Sequence, residues 1–203
     1  IHENEIFGII GPANSGKTSF LRALNRMDMF TSGMEVDGTI KFGGRDIRKW
    51  RNVYSLRQRI GVVFPLPVGL PMTVYDNVAL PLQQTTNLSK TEIERRVMAR
   101  IEQTELTEVA YKYPSELSGG MQKRVALSRA LVTDPTIVLF DEPTTGQDPI
   151  RKNAILAMIA EYQRKLGFTA ILISHEIPDV FFISNRILAL YNGKIVFQGT
   201  PEE

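Results

Sequence analysis

Short, unbroken apolar runs alternate along the chain with longer stretches whose apolar positions recur every three or four residues. Residues 5–10, 60–64, 136–140 and 168–174 are such runs, and they read as strands buried on both faces. Residues 17–28 and 120–132 have helical character. A polar helix opens at Ser89-Lys90-Thr91-Glu92, which fits a capping box. Asp148-Pro149 starts a long helix, with Asp as N-cap and Pro at the first position. Its apolar residues Ile155, Met158, Ile159, Tyr162 and Leu166 keep helical spacing, and Gly167 ends it. Residues 39–42 form a short strand before Gly43-Gly44. Asn192-Gly193 joins two further strands, 186–191 and 194–198, as a two-residue hairpin. The alternation predicts an α/β fold with a mainly parallel sheet. One domain is expected over 1–203, with a core from 1–64 and 133–203, a helical insertion at 65–132 and a C-terminal β-hairpin.

Composition narrows the chemistry. The 203 residues carry 24 Lys and Arg against 22 Asp and Glu, a net charge of +2, so there is no basic footprint and no nucleic-acid partner is expected. There is no Cys, which excludes disulfides, thiolate metal sites and a Cys nucleophile. The longest uncharged run, residues 60–75, contains Pro65, Pro67 and Pro71 and cannot be a spanning helix. The chain opens on a polar, acidic stretch without Met, and its first strand starts almost at once. One or two upstream strands are expected.

Three motifs carry candidate chemistry. Gly11, Pro12, Ala13, Asn14, Ser15, Gly16, Lys17 and Thr18 spell G-x-x-x-x-G-K-[ST] between a strand and a helix, with Ser19 following. Such a loop turns its backbone N–H groups inward, and with the helix N-terminus it cradles phosphates. Lys17 would then meet the β- and γ-phosphates, and Thr18 a Mg²⁺ ion. The apolar run 136–140 ends in Asp141-Glu142, two acids at the strand edge where α/β sites form. Alternation along a strand faces them differently, so Asp141 would hold Mg²⁺ and Glu142 would activate a water. Leu117-Ser118-Gly119-Gly120-Met121-Gln122 leads into a helix, with Ser118 as cap and two Gly exposing N–H groups to a second anion. His175 ends the strand before it, as a polar group able to contact a γ-phosphate.

Taken together, these pieces resemble the ATP-binding cassette (ABC) ATPase subunit of membrane transporters. Residues 117–122 resemble the family signature, 11–18 its Walker A loop and 137–142 its Walker B strand. Residues 144–148, ending in Asp148, resemble the D-loop, and His175 the switch histidine. The resemblance implies ATP and Mg²⁺ as ligands, and a head-to-tail dimer holding ATP between Lys17 of one copy and Ser118, Gly119 and Gly120 of the other. It implies permease subunits as partners and a peripheral position on the cytoplasmic face of the membrane. The loop 65–72, apolar and Pro-rich, corresponds to the neighbourhood where the membrane subunit docks. Asn25-Arg26-Met27 and Tyr75-Asp76-Asn77-Val78-Ala79 resemble segments of phosphate importers, which suggests inorganic phosphate as cargo. The family's adenine-stacking aromatic would lie upstream of Ile1. Chromosome-type members need a long coiled coil that residues 65–117 are too short to supply, and translation-type members carry two cassettes. A small-molecule kinase leaves the signature and His175 unexplained. A binding-only cassette is the remaining alternative.

That alternative rests on Pro65. The family usually has Gln there, contacting Mg²⁺ and the attacking water, and Pro offers no side-chain donor or acceptor. Two readings follow: turnover is slowed while ATP binding survives, or a water replaces the amide. The first predicts that Pro65→Gln raises the steady-state ATP hydrolysis rate; an unchanged rate favours the second.

Overall fold

The computed structural model describes residues 1–65 and 69–203, so residues 66–68 of the expected docking loop lie outside the described residues. The strands are β1 (Ile6–Ile10), β2 (Lys41–Phe42), β3 (Arg45–Asp46), β4 (Ile60–Val63), β5 (Ile137–Asp141), β6 (Thr169–Ser174), β7 (Arg186–Tyr191) and β8 (Lys194–Gly199). The helices are α1 (Lys17–Leu24), α2 (Val53–Arg59), α3 (Val74–Thr85), α4 (Lys90–Gln103), α5 (Gly119–Leu131), α6 (Pro149–Leu166) and α7 (Ile177–Ile183). Six strands form one sheet in the order β4-β5-β6-β1-β7-β8, parallel except for the β7–β8 hairpin; β2 and β3 form a separate ribbon. This is the α/β architecture expected from the apolar runs.

The central strands are apolar throughout because both of their faces are covered. Alternation divides the residues between two cores. Ile6 and Ile10 of β1, Val138 and Phe140 of β5, and Ala170 and Leu172 of β6 pack against α5 and α6 through Leu127, Ile155 and Ile159. Phe7 and Ile9, Leu139, and Ile171 and Ile173 face Leu21 of α1 and Leu56 of α2. The helices of the insertion bury a core of their own, with Val78, Leu82, Val97, Ile101 and Val125 at its centre.

Several elements differ from the sequence expectation. Helix α1 stops at Leu24 rather than running to residue 28, because Arg26 takes a left-handed φ of 61°. Helices α2, α3 and α7 were not evident in the pattern. Pro81 lies inside α3, where proline normally ends a helix, and Thr73 caps that helix by accepting from the Asp76 amide. Only half of the capping box at Ser89 forms: Ser89 Oγ accepts the Glu92 amide at 3.2 Å, but the Glu92 carboxylate turns to Arg95 and Arg96. The turn at Asn192-Gly193 carries φ of 47° and 72°, as the two-residue hairpin requires.

Helix α7 lies on β1 at a position open only to glycine. A Cβ on Gly8 would sit 2.2 Å from Val180 Cγ1 and 2.7 Å from Ser184 Oγ. Gly8→Ala is therefore expected to destabilise the protein by about 1–3 kcal/mol, measured from urea unfolding midpoints.

Candidate functional site

Strand order explains how distant residues meet. Strand β6 lies between β5 and β1, with Asp141 opposite Ile173 and Ile10 opposite Ser174. The C-terminal ends of these parallel strands release the loop 11–16, the Asp141-Glu142 pair and His175 at one sheet edge. Pro65 follows β4 at the same edge.

The loop after β1 is braced by its surroundings. A Cβ on Gly11 would lie 2.2 Å from the Leu190 carbonyl and 2.6 Å from Ser15 Oγ, so only glycine allows the loop to lie this close to β7. Gly193 of the hairpin donates to the Ser15 carbonyl at 3.3 Å. Asn14 and Gly16 take φ of 63° and 101°, which curls the chain into α1. The Phe20 amide pairs back to the Gly16 carbonyl at 2.9 Å, the first such bond of α1. The preceding amides of Lys17, Thr18 and Ser19 point out of the helix start, as in an anion cradle. Pro12, Ala13 and Asn14 are exposed, and Ser15 is buried with its hydroxyl unpartnered.

Lys17 is only 6% exposed. Its ammonium donates to the carbonyls of Gly11 and Pro12 at 2.8 and 2.9 Å and stands 3.8 Å from Glu142 Oε1. The other Glu142 oxygen lies 2.6 Å from His175 Nδ1, accepts the His175 amide at 3.4 Å and accepts the Thr145 hydroxyl at 3.3 Å. Strand β5 ends at Asp141. Glu142 then takes a φ of 48°, so a left-handed turn, rather than continued strand alternation, separates the two carboxylates. The structure thus brings Lys17, Asp141, Glu142 and His175 together.

Asp141 suits a divalent cation. Burial pushes its carboxyl above the ordinary value, and Glu142 adds to this; Arg22, a hydrogen bond from Thr18 and Lys17 pull it partly back. One of its oxygens is buried without any partner. Such an orphaned hard oxygen, with the Thr18 hydroxyl beside it, fits Mg²⁺, which takes one or two protein oxygens and completes its shell with phosphate and water.

Ser118, Gly119 and Gly120 lie elsewhere. Ser118 caps α5 by accepting the Met121 amide at 3.3 Å. The three residues line a groove of about 300 Å³ walled by α6, to which no residue of 11–18 contributes. Nothing lies within 4 Å of a Cβ on Gly119 or Gly120, so the chain's own packing does not demand glycine at either position. Asp148 acts as an N-cap, one oxygen accepting the Ile150 and Arg151 amides at 3.1 Å and the other pairing with Arg151. Sequence reasoning missed Lys123, and it placed Thr145 only within the 144–148 segment, without the contact to Glu142. Lys123, whose ammonium burial pushes down, donates to the Pro143 carbonyl at 2.6 Å and ties α5 to the turn after Glu142. No local pattern marked Lys123.

The fold and this edge constellation define a P-loop ATPase fold. A model of the ABC transporter family matches residues 1–145, and the chain belongs to that family. It is 37% identical over 206 residues to the methionine import ATP-binding protein MetN 1 of Pseudomonas putida, covering all of this chain and 60% of that one. It is 35% identical to the intermembrane phospholipid transport system ATP-binding protein MlaF of Haemophilus influenzae, covering 76% of it. The chain thus spans about three-fifths of the methionine relative. Among solved structures, it matches CbiO1 of Clostridium perfringens, part of the transporter complex CbiONQ, with a TM-score of 0.88 and 29% identity, covering all of this chain and 79% of that one. It also matches an ATP-binding cassette solved as a dimer in a post-hydrolysis state with ADP and phosphate, with a TM-score of 0.78 and 28% identity, covering 99% and 87%.

The phosphate expectation finds no support in these relatives. The residues that suggested it have architectural work: Asn25 accepts the Met27 amide at 3.2 Å, and Asn77, fully buried, ties the 70–73 turn to α3.

Ionised Asp141 costs stability, because its folded pKa lies above the unfolded one. The cost is full at neutral pH and disappears as pH falls through the folded value. Asp141→Asn is expected to raise the thermal midpoint at pH 7 without Mg²⁺, by a margin that shrinks toward pH 4, and to abolish the Mg²⁺-dependent gain in nucleotide affinity.

Proposed function

We propose that the chain is the ATP-binding and ATP-hydrolysing motor subunit of a membrane transporter of the importer type. The observation that carries this reading is the shared Glu142 carboxylate, held between the loop lysine and His175 at one sheet edge. In this reading the amides of 16–19 and the Lys17 ammonium bind the β- and γ-phosphates, Lys17 exchanging loop carbonyls for phosphate oxygens. Mg²⁺, held by Thr18 and Asp141, supplies charge neutralisation across the phosphates when bound. Glu142 takes a proton from the attacking water, and His175, on the other side of that carboxylate, contacts the γ-phosphate.

A single chain offers only half of this pocket. The open positions at Gly119 and Gly120, and the absence of any loop residue from their groove, support a second copy closing head-to-tail over the nucleotide. Asp148, at the exposed start of α6, would join that interface. The insertion 65–132 acts as a helical subdomain that carries Ser118 toward the partner copy. Phe64, half exposed beside Pro65, and the exposed Tyr111 stacked on Tyr75 offer apolar surface that supports permease docking on the insertion and its entry. No helix among the described residues is long and apolar enough to cross a membrane; a peripheral position on the cytoplasmic face, against permease subunits, belongs to the transporter reading. For the cargo, the methionine import relatives favour an amino acid of that kind over inorganic phosphate.

Glu142→Gln should retain ATP binding, lower hydrolysis by about 10²-fold or more, and trap a dimer with ATP and Mg²⁺ on a sizing column. A variant that remains monomeric under those conditions contradicts the reading.

A further inference from the structure

Lys123 stands near the start of α5, and its side chain lines a small apolar cavity with Val63, Phe64, Leu127, Phe140, Ile155 and Ile159. The ammonium donates to the Pro143 carbonyl at 2.6 Å. Burial pushes it below its ordinary value, so the charged form is disfavoured where it stands. An apolar side chain of similar length would fill the same cavity without that penalty. A charge kept in such surroundings directs attention to the group it holds.

That group belongs to the turn that carries Glu142. Strand β5 ends at Asp141, and Glu142 takes a φ of 48°, which residues other than glycine adopt only under constraint. Pro143 follows, and its ring leaves no N–H by which the turn could be tied. Pro143 is buried, so its carbonyl needs a donor, and Lys123 supplies one. Two backbone bonds complete the fastening: the Glu142 amide donates to the Ile173 carbonyl at 3.0 Å, and the Thr145 amide to the Glu142 carbonyl at 3.2 Å. The carboxylate itself is held by Lys17 and His175, the two groups that turn to phosphate in the reading above. Once they do, the ties on the backbone must keep Glu142 in place.

We propose that Lys123 is a positioning residue for ATP hydrolysis: by gripping the Pro143 carbonyl from the face of the sheet that α5 and α6 cover, it fixes the left-handed turn that aims Glu142 at the attacking water. This rests on the ATPase reading given above. The helix that supplies the grip also carries Ser118 at its cap and Gly119 and Gly120 at its start. The turn is thus braced by the helix assigned to the second copy's nucleotide.

Lys123→Met keeps the length of the stem and removes the donor. In steady-state hydrolysis it is expected to lower kcat by about 10-fold or more, with KM for ATP within about two-fold of wild type. Its thermal midpoint should stay within about 4 °C, because relief of the buried charge offsets the lost hydrogen bond. The decisive comparison uses Glu142→Gln as background, with single-turnover rates. If Lys123 acts through Glu142, adding Lys123→Met there changes the residual rate and the ATP affinity by less than about two-fold. An equal loss in both backgrounds, an unchanged kcat, or a chain that melts far lower or fails to fold would overturn the proposal and leave Lys123 as a tie that serves the fold. Amide hydrogen exchange reads the turn without nucleotide: the Glu142 amide is expected to exchange about 10-fold faster in Lys123→Met, with the amides inside β5 unmoved. An unchanged Glu142 amide also overturns the proposal. A wild-type chain that hydrolyses no ATP would count against the ATPase reading instead, while the exchange measurement still decides whether Lys123 sets the turn.

Discussion

A lysine ammonium buried to 6% exposure must be satisfied by whatever surrounds it, and this requirement organises the edge of the sheet. Lys17 draws in the Gly11 and Pro12 carbonyls from its own loop and the Glu142 carboxylate from β5. Glu142 is in turn shared with His175 from the end of β6. Three parallel strands thus meet through one chain of polar contacts. That chain joins the loop after β1 to Glu142 and His175.

The cost of this arrangement appears at Asp141. Its carboxyl is desolvated, pushed above its ordinary value, and keeps one oxygen without a partner. A well-packed fold leaves few such groups, and those it leaves concentrate where a ligand supplies the missing partner. The same logic applies in reverse to Gly119 and Gly120. Their missing side chains relieve no crowding within the chain, which leaves the space beside them open.

Legibility followed the range of the interaction. The strands 5–10, 60–64, 136–140 and 168–174 could be read because burial on both faces leaves continuous apolar runs. The helix after Asp148-Pro149 could be read because its cap, its spacing and its terminal glycine are all local. Helix α3 was hidden by Pro81 and by the proline-rich stretch before it, and its Thr73 cap went unnoticed. The early end of α1 depends on Arg57 reaching the Asn25 and Arg26 carbonyls from another helix, at 3.1 and 2.9 Å. The Glu92 side chain left its expected capping contact because two arginines one turn on offered a charged partner.

The sequence by itself determined the six strands of the main sheet, the phosphate loop, the acid pair, the Ser-Gly-Gly helix start and the histidine, because each is written in residues adjacent along the chain. Tertiary structure alone decided that β6 falls between β1 and β5, so that Lys17 and His175 share the Glu142 carboxylate. It also decided that Glu142 turns out of its strand, that Lys123 reaches the Pro143 carbonyl and that Lys152 takes Glu176. These contacts join residues far apart in the chain, and strand pairing, not local spacing, brings them within reach.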